Sequence, residues 1–82
     1  MRIDFQAALP EAAFLRRRVH LDLPEGAVVL DALSLYAQKY NAPGILENRA
    51  GIAVVVNGTR GSFQRALREG DRLRVFRPRI RG

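Results

Sequence analysis

The chain is 82 residues long with 48% apolar and 27% charged residues, a composition that suits one small folded domain rather than a disordered segment. It contains no cysteine and a single histidine, His20, which excludes disulfides, thiol nucleophiles, thiolate metal sites and multi-histidine metal sites. The net charge of +6 is carried entirely by residues 57–82, because residues 1–56 are balanced. A basic patch of this kind suits an anionic partner: nucleic acid, phosphate or an acidic protein surface.

From the start, "MRIDFQA" puts Met1, Ile3, Phe5 and Ala7 on one face and Arg2, Asp4 and Gln6 on the other. This period of two predicts a half-buried strand. "RVHLDLP" repeats it, with Val19, Leu21 and Leu23 inward and Arg18, His20 and Asp22 outward, up to Pro24. The two runs are expected to pair as an antiparallel hairpin with a long connection. "VVLDALSLYAQKY" then changes to helical spacing, with Val29, Leu33, Tyr36, Ala37 and Tyr40 on one face. Asp31 near its start and Lys39 near its end suit the helix dipole, and Asn41, Pro43 and Gly44 end it. Its two tyrosines are read as core and rim packing.

"GIAVVVNG" is a nearly continuous apolar run, as expected of an interior strand covered by a helix, and Asn57-Gly58 signals a turn. "SFQRALREGD" reads as an irregular or helical link. "RLRVFRP" is the last strand, with Leu73 and Val75 alternating against Arg72, Arg74 and Phe76. Pro78 cannot donate to a ladder, so pairing should weaken there. The order, with an early hairpin and the late strand beside the first, predicts an α+β β-grasp layer, a mixed sheet of about four to five strands packed on one main helix. Residues 1–77 are expected to form this domain and residues 78–82 a flexible tail.

Chemistry of its own is not apparent. Ser34 and Ser62 have no histidine near them in sequence, and His20 falls on the polar face of a strand. The carboxylates form no telling pair, and the glycines fit turns rather than a phosphate-cradling loop. Nucleic-acid binding is less favoured, since Phe76 is a lone aromatic among the arginines and no recognised motif is present. No run approaches the length of a membrane span and the start lacks a signal peptide's apolar core, so the expected compartment is the cytoplasm.

Three segments together resemble the MoaD/ThiS sulfur carriers, which are ubiquitin-like β-grasp proteins. They are "PEGAVVLDALSLYAQKY", resembling the family's helix start, "IAVVVNGT", resembling its Val-x-Val-Asn-Gly strand, and "LREGDRLRVFRP", resembling its last strand. The resemblance implies that the carboxylate of Gly82 is adenylated and then thiocarboxylated, for sulfur transfer in molybdopterin, thiamine or related cofactor synthesis. It implies a MoeB/ThiF-like adenylyltransferase as one partner and a MoaE-like or thiazole-synthase-like acceptor as another. ATP and Mg²⁺ would be used by the activating partner, and the chain itself would bind no cofactor or metal. Phe76, Arg77, Pro78, Arg79, Ile80 and Arg81 would contact partners. Arg81 stands where the family has its penultimate glycine, so the alternative is a β-grasp adaptor that has lost the carrier role. Its arginine-rich tail would dock on an acidic or phosphate-bearing partner.

Overall fold

A computed structural model describes residues 1–13, 15 and 17–78, with Glu11 described by its backbone only. Strand β1 (Arg2–Ala8) and strand β2 (Arg18–Asp22) form the expected antiparallel hairpin, in register from Arg2↔Asp22 to Gln6↔Arg18. Their connection includes a 3₁₀ turn at Pro10–Ala12, where proline occupies the start of the turn and needs no amide partner. Helix α1 (Val29–Lys39) and a one-turn helix α2 (Gly44–Glu47) follow. Strand β3 (Ala53–Val56), the short strand β4 (Thr59–Gly61) and strand β5 (Arg72–Phe76) complete one five-stranded sheet of order β2-β1-β5-β3-β4.

The last strand therefore lies inside the sheet. It runs parallel to β1 on one side and antiparallel to β3 on the other. This is the β-grasp arrangement, with one main helix crossing a mixed sheet. Strand β4 and helix α2 were not anticipated from the sequence. Three residues that include two exposed ones carry no readable period, and Pro43-Gly44 reads as a stop although proline is tolerated where a new helix begins.

Helix α1 turns Val29, Ala32, Leu33, Tyr36 and Ala37 into the core. Tyr36 stacks on Phe5 with ring centroids 4.7 Å apart, and both side chains are fully buried. Tyr40 packs 4.8 Å from Tyr36 at the margin, so the helical tyrosines are core and rim. The orphan amides of the helix start are satisfied from two directions. Asp31 Oδ2 accepts the Val28 amide at 2.8 Å, while the Arg65 and Phe63 carbonyls accept those of Val29 and Leu30 at 3.0 and 2.9 Å. The long link 62–71 thus seals the helix N-terminus. Among the described residues no polar or charged residue is buried.

The Asn-Gly turn is tied to β5. Asn57 (φ 51°) and Gly58 (φ 82°) both take the left-handed backbone that a two-residue hairpin between β3 and β4 requires. Asn57 Oδ1 accepts the Arg72 amide and Asn57 Nδ2 donates to Asp71 Oδ1, each at 2.9 Å. Asp71 Oδ2 also accepts the Arg68 amide at 2.8 Å. Asn57 and Asp71, from two segments that carry the family resemblance, therefore meet across the fold and hold β5 in register. Their role is structural.

Candidate functional site

The sheet has one face on the core and one face open, and the strand registers specify what the open face carries. Gln6 pairs with Arg18 and Arg74, Arg74 with Val55, and Val55 with Arg60. One row across all five strands thus reads Arg18, Gln6, Arg74, Val55, Arg60. The next row toward the end of β5 reads Ala8, Phe76, Ala53. The row on the other side brings His20, Asp4 and Arg72 together. The result is a small apolar centre of half-buried Ala8, Val55 and Phe76 around buried Ala53, beside a run of arginines.

Phe76 is half-buried, and the Arg74 guanidinium lies 5.4 Å from its ring centroid, which keeps charge and aromatic face together. A concavity of about 350 Å³ opens on this face, lined among others by Gln6, Arg72 and Arg74. Arg18 is partly spoken for, since its Nη2 lies 2.9 Å from Asp4 Oδ2. That hydrogen bond holds the Asp4 carboxyl below the usual carboxylate range, against the upward push of partial burial, and the positive charge of His20 and Arg72 adds to the lowering. Arg72, Arg74 and Arg60 are exposed and supply the positive field of the face.

The chain leaves the sheet where this patch lies. Phe76 ends β5, Arg77 is half-buried and Pro78 is exposed. Of the residues expected from the sequence to contact partners, Phe76 is on the open face. Arg77 donates from Nη1 to the Asn48 carbonyl at 2.9 Å. Arg79, Ile80, Arg81 and Gly82 lie outside the described residues. Among the described residues no group of His, Asp and Glu could hold a metal ion, and no helix is long and apolar enough to cross a membrane. The site as described offers docking contacts and an exit for the chain, with no assembled acid, base and nucleophile.

Ala8, Ala53, Val55 and Arg60 were missed in the sequence as parts of this face, whereas Gln6 was expected on the outward side of its strand. The polar alternation of each strand signalled which residues point outward. The expected placement of the last strand beside the first is met by the parallel pairing of β1 with β5, but the place of β3 and β4 beyond β5 was not signalled.

A β-grasp core, an open face with an apolar centre and a last strand that emerges beside it define a small ubiquitin-like protein. SAMP1 from Haloferax volcanii has the same fold, with a TM-score of 0.78 and 27% identity over 100% of both chains. A Pyrococcus furiosus protein assigned as molybdopterin converting factor subunit 1 matches with a TM-score of 0.75 and 23% identity, over 95% of this chain and 98% of that one. A complex of subunits 1 and 2 of the molybdopterin-converting factor from Helicobacter pylori contains a chain matching at a TM-score of 0.63 and 17% identity over 100% of both. No family sequence model and no curated protein sequence matches the chain. The chain therefore has the ubiquitin-like β-grasp fold, and the structures it resembles are small modifier and molybdopterin-converting-factor proteins.

Proposed function

We propose that this chain is a sulfur carrier whose Gly82 carboxylate is activated by an adenylyltransferase of the MoeB/ThiF type. The carboxylate oxygen attacks the α-phosphorus of ATP and releases pyrophosphate. Sulfide (HS⁻) then attacks the acyl carbon, AMP leaves with its bridging oxygen, and loss of the sulfur-bound proton gives the thiocarboxylate. ATP and Mg²⁺ belong to the partner, and the carrier contributes docking surface and an acyl group. The reading includes a cytoplasmic location and a sulfur-accepting synthase subunit as second partner. The Helicobacter pylori complex of converting-factor subunits 1 and 2 supports that second partner by fold similarity.

The observation that carries the reading is the placement of β5. It is clamped between β1 and β3, and its end delivers the chain beside the Ala8, Ala53, Val55 and Phe76 patch. A partner seated on that patch has the segment after Pro78 within reach. Glycine at the last position, without a Cβ, suits passage through a narrow active-site channel. The test is ATP–pyrophosphate exchange by the cognate adenylyltransferase, which should depend on the intact chain and be lost on deleting Gly82. Exchange indifferent to the deletion would contradict the reading.

The arginine row and Arg81 favour a second reading, a docking adaptor for an acidic partner with no acyl chemistry. Gly82→Ala separates the two readings. An adaptor binds its partner unchanged, whereas a carrier loses acyl transfer while still docking.

A further inference from the structure

We propose that Arg77 is a positioning residue, which fastens the root of the C-terminal segment to the loop between α2 and β3 and so fixes the point from which residues 79–82 depart. The inference rests on the carrier reading and adds to it a residue that acts without touching the reacting atoms. The ladder bonds of β5 end at Phe76, so the sheet itself does not set the course of the chain beyond that point.

Arg77 supplies what the sheet does not. Its Nη1 donates to the Asn48 carbonyl at 2.9 Å, a contact between residues 29 positions apart in the chain. The same carbonyl accepts the Gly51 amide at 3.4 Å. The loop that receives the guanidinium is well stitched. Asn48 Nδ2 donates to the Gly44 carbonyl at 3.1 Å, Arg49 Nη1 to the Leu46 carbonyl at 2.9 Å, and the Ile52 amide to the Arg49 carbonyl at 2.9 Å. Buried Ile45 and Ile52 bracket the loop and root it in the core.

Gly51 lies in the same contact and gives the guanidinium its room. A Cβ at position 51 would lie 2.9 Å from Arg77 Nη1, closer than real Cβ contacts come. Its backbone is not left-handed, so no turn demands a glycine there. The space it leaves is filled by the guanidinium. Pro78 follows at once and has a fixed φ of its own. The guanidinium anchor and the proline ring act in series, and together they aim the chain as it leaves the domain.

Acyl adenylate formation requires the terminal carboxylate to meet the α-phosphorus in line, and misplacement by about 1 Å can cost a hundredfold in rate. Loosening the root is therefore expected to lower turnover without weakening docking on the open sheet face. The experiment compares wild type with Arg77→Ala, Arg77→Lys, Gly51→Ala and the Gly51→Ala/Arg77→Ala double variant. In the free protein, amide exchange at Gly51 and Ile52 should speed up in Arg77→Ala and be partly restored in Arg77→Lys. With the cognate MoeB-type adenylyltransferase and ATP, Arg77→Ala should lower kcat by about tenfold with KM for the chain unchanged. Lysine should rescue part of the loss. Gly51→Ala, which displaces the flexible guanidinium rather than backbone, should lower kcat alone and add nothing in the Arg77→Ala background.

Wild-type kcat in Arg77→Ala, or a raised KM with kcat unchanged, would overturn the proposal; the second result would make Arg77 a partner contact instead. Additive effects of the two substitutions would overturn it as well. If no variant, wild type included, is adenylated, the carrier reading itself fails and the positioning role falls with it. The wild-type control distinguishes that outcome from failure of the latch alone.

Discussion

Replacing Asn57 by alanine is expected to destabilise the fold by about 3 kcal/mol, from the following terms. The Asn57 side chain makes two hydrogen bonds, to the Arg72 amide and the Asp71 carboxylate, each 2.9 Å long. A neutral bond of this kind contributes about 0.5–1.5 kcal/mol and one to a charged group about 1.5–3 kcal/mol, and with the low end of each at this exposed position their loss costs about 2 kcal/mol. Alanine must also adopt the left-handed backbone now held by Asn57, with φ 51°, which costs about 1 kcal/mol more. Glycine at the same position loses the bonds but keeps the backbone, so Asn57→Gly should cost only about 2 kcal/mol. In a domain of this size 1 kcal/mol shifts Tm by about 4–8 °C, and Asn57→Ala should melt about 12–24 °C below wild type. Urea unfolding followed by circular dichroism would give both values, with an unchanged m-value as the check on two-state behaviour. Both variants within about 0.5 kcal/mol of wild type would refute the reasoning. The Asn-Gly and Gly-Asp segments would then need a role other than holding β5.

Phe5→Ala removes a fully buried ring stacked on Tyr36 and should cost about 3–5 kcal/mol, a large share of a small domain's stability, measurable by the same unfolding series. Asp4 has its folded pKa depressed by Arg18, so the pair stabilises the fold above the ordinary carboxylate pKa and its contribution is lost as pH falls through the lowered value. Carboxyl chemical shifts should report that low midpoint in wild type and an upward move in Arg18→Ala, more marked at low salt because the pair is solvent-facing. Phe76→Ala should leave the fold intact and weaken docking to the adenylyltransferase by about thirtyfold in a calorimetric titration, if the patch is the centre of the interface.

The strands at both ends, the long helix and its core face were legible because each shows one clean period over five or more residues. Leu73 and Val75 alternate with Arg72, Arg74 and Phe76 just as the buried and open faces of β5 require. Strand β4 was not legible, since it is held by the turn geometry of Asn57-Gly58 and by pairing with β3 rather than by a pattern of its own. The same limit applies to the site. Phe76 and the exit at Pro78 were visible in the sequence as the end of a strand. The row from Arg18 to Arg60 exists only once five strands are in order, and no local pattern encodes that order. Arg77 illustrates the difference most clearly. In sequence it is one arginine in an alternating series, and only the fold brings Asn48 and Gly51 to its side chain.

The central claim is that the chain ends in a carboxyl group that is activated and loaded with sulfur. Its most direct test is the intact mass of the protein after incubation with the cognate adenylyltransferase, ATP, Mg²⁺ and a sulfur donor. The account predicts a gain equal to replacement of one oxygen by sulfur, localised by fragmentation to Gly82. An unchanged mass with an activator that demonstrably binds the open sheet face would contradict it.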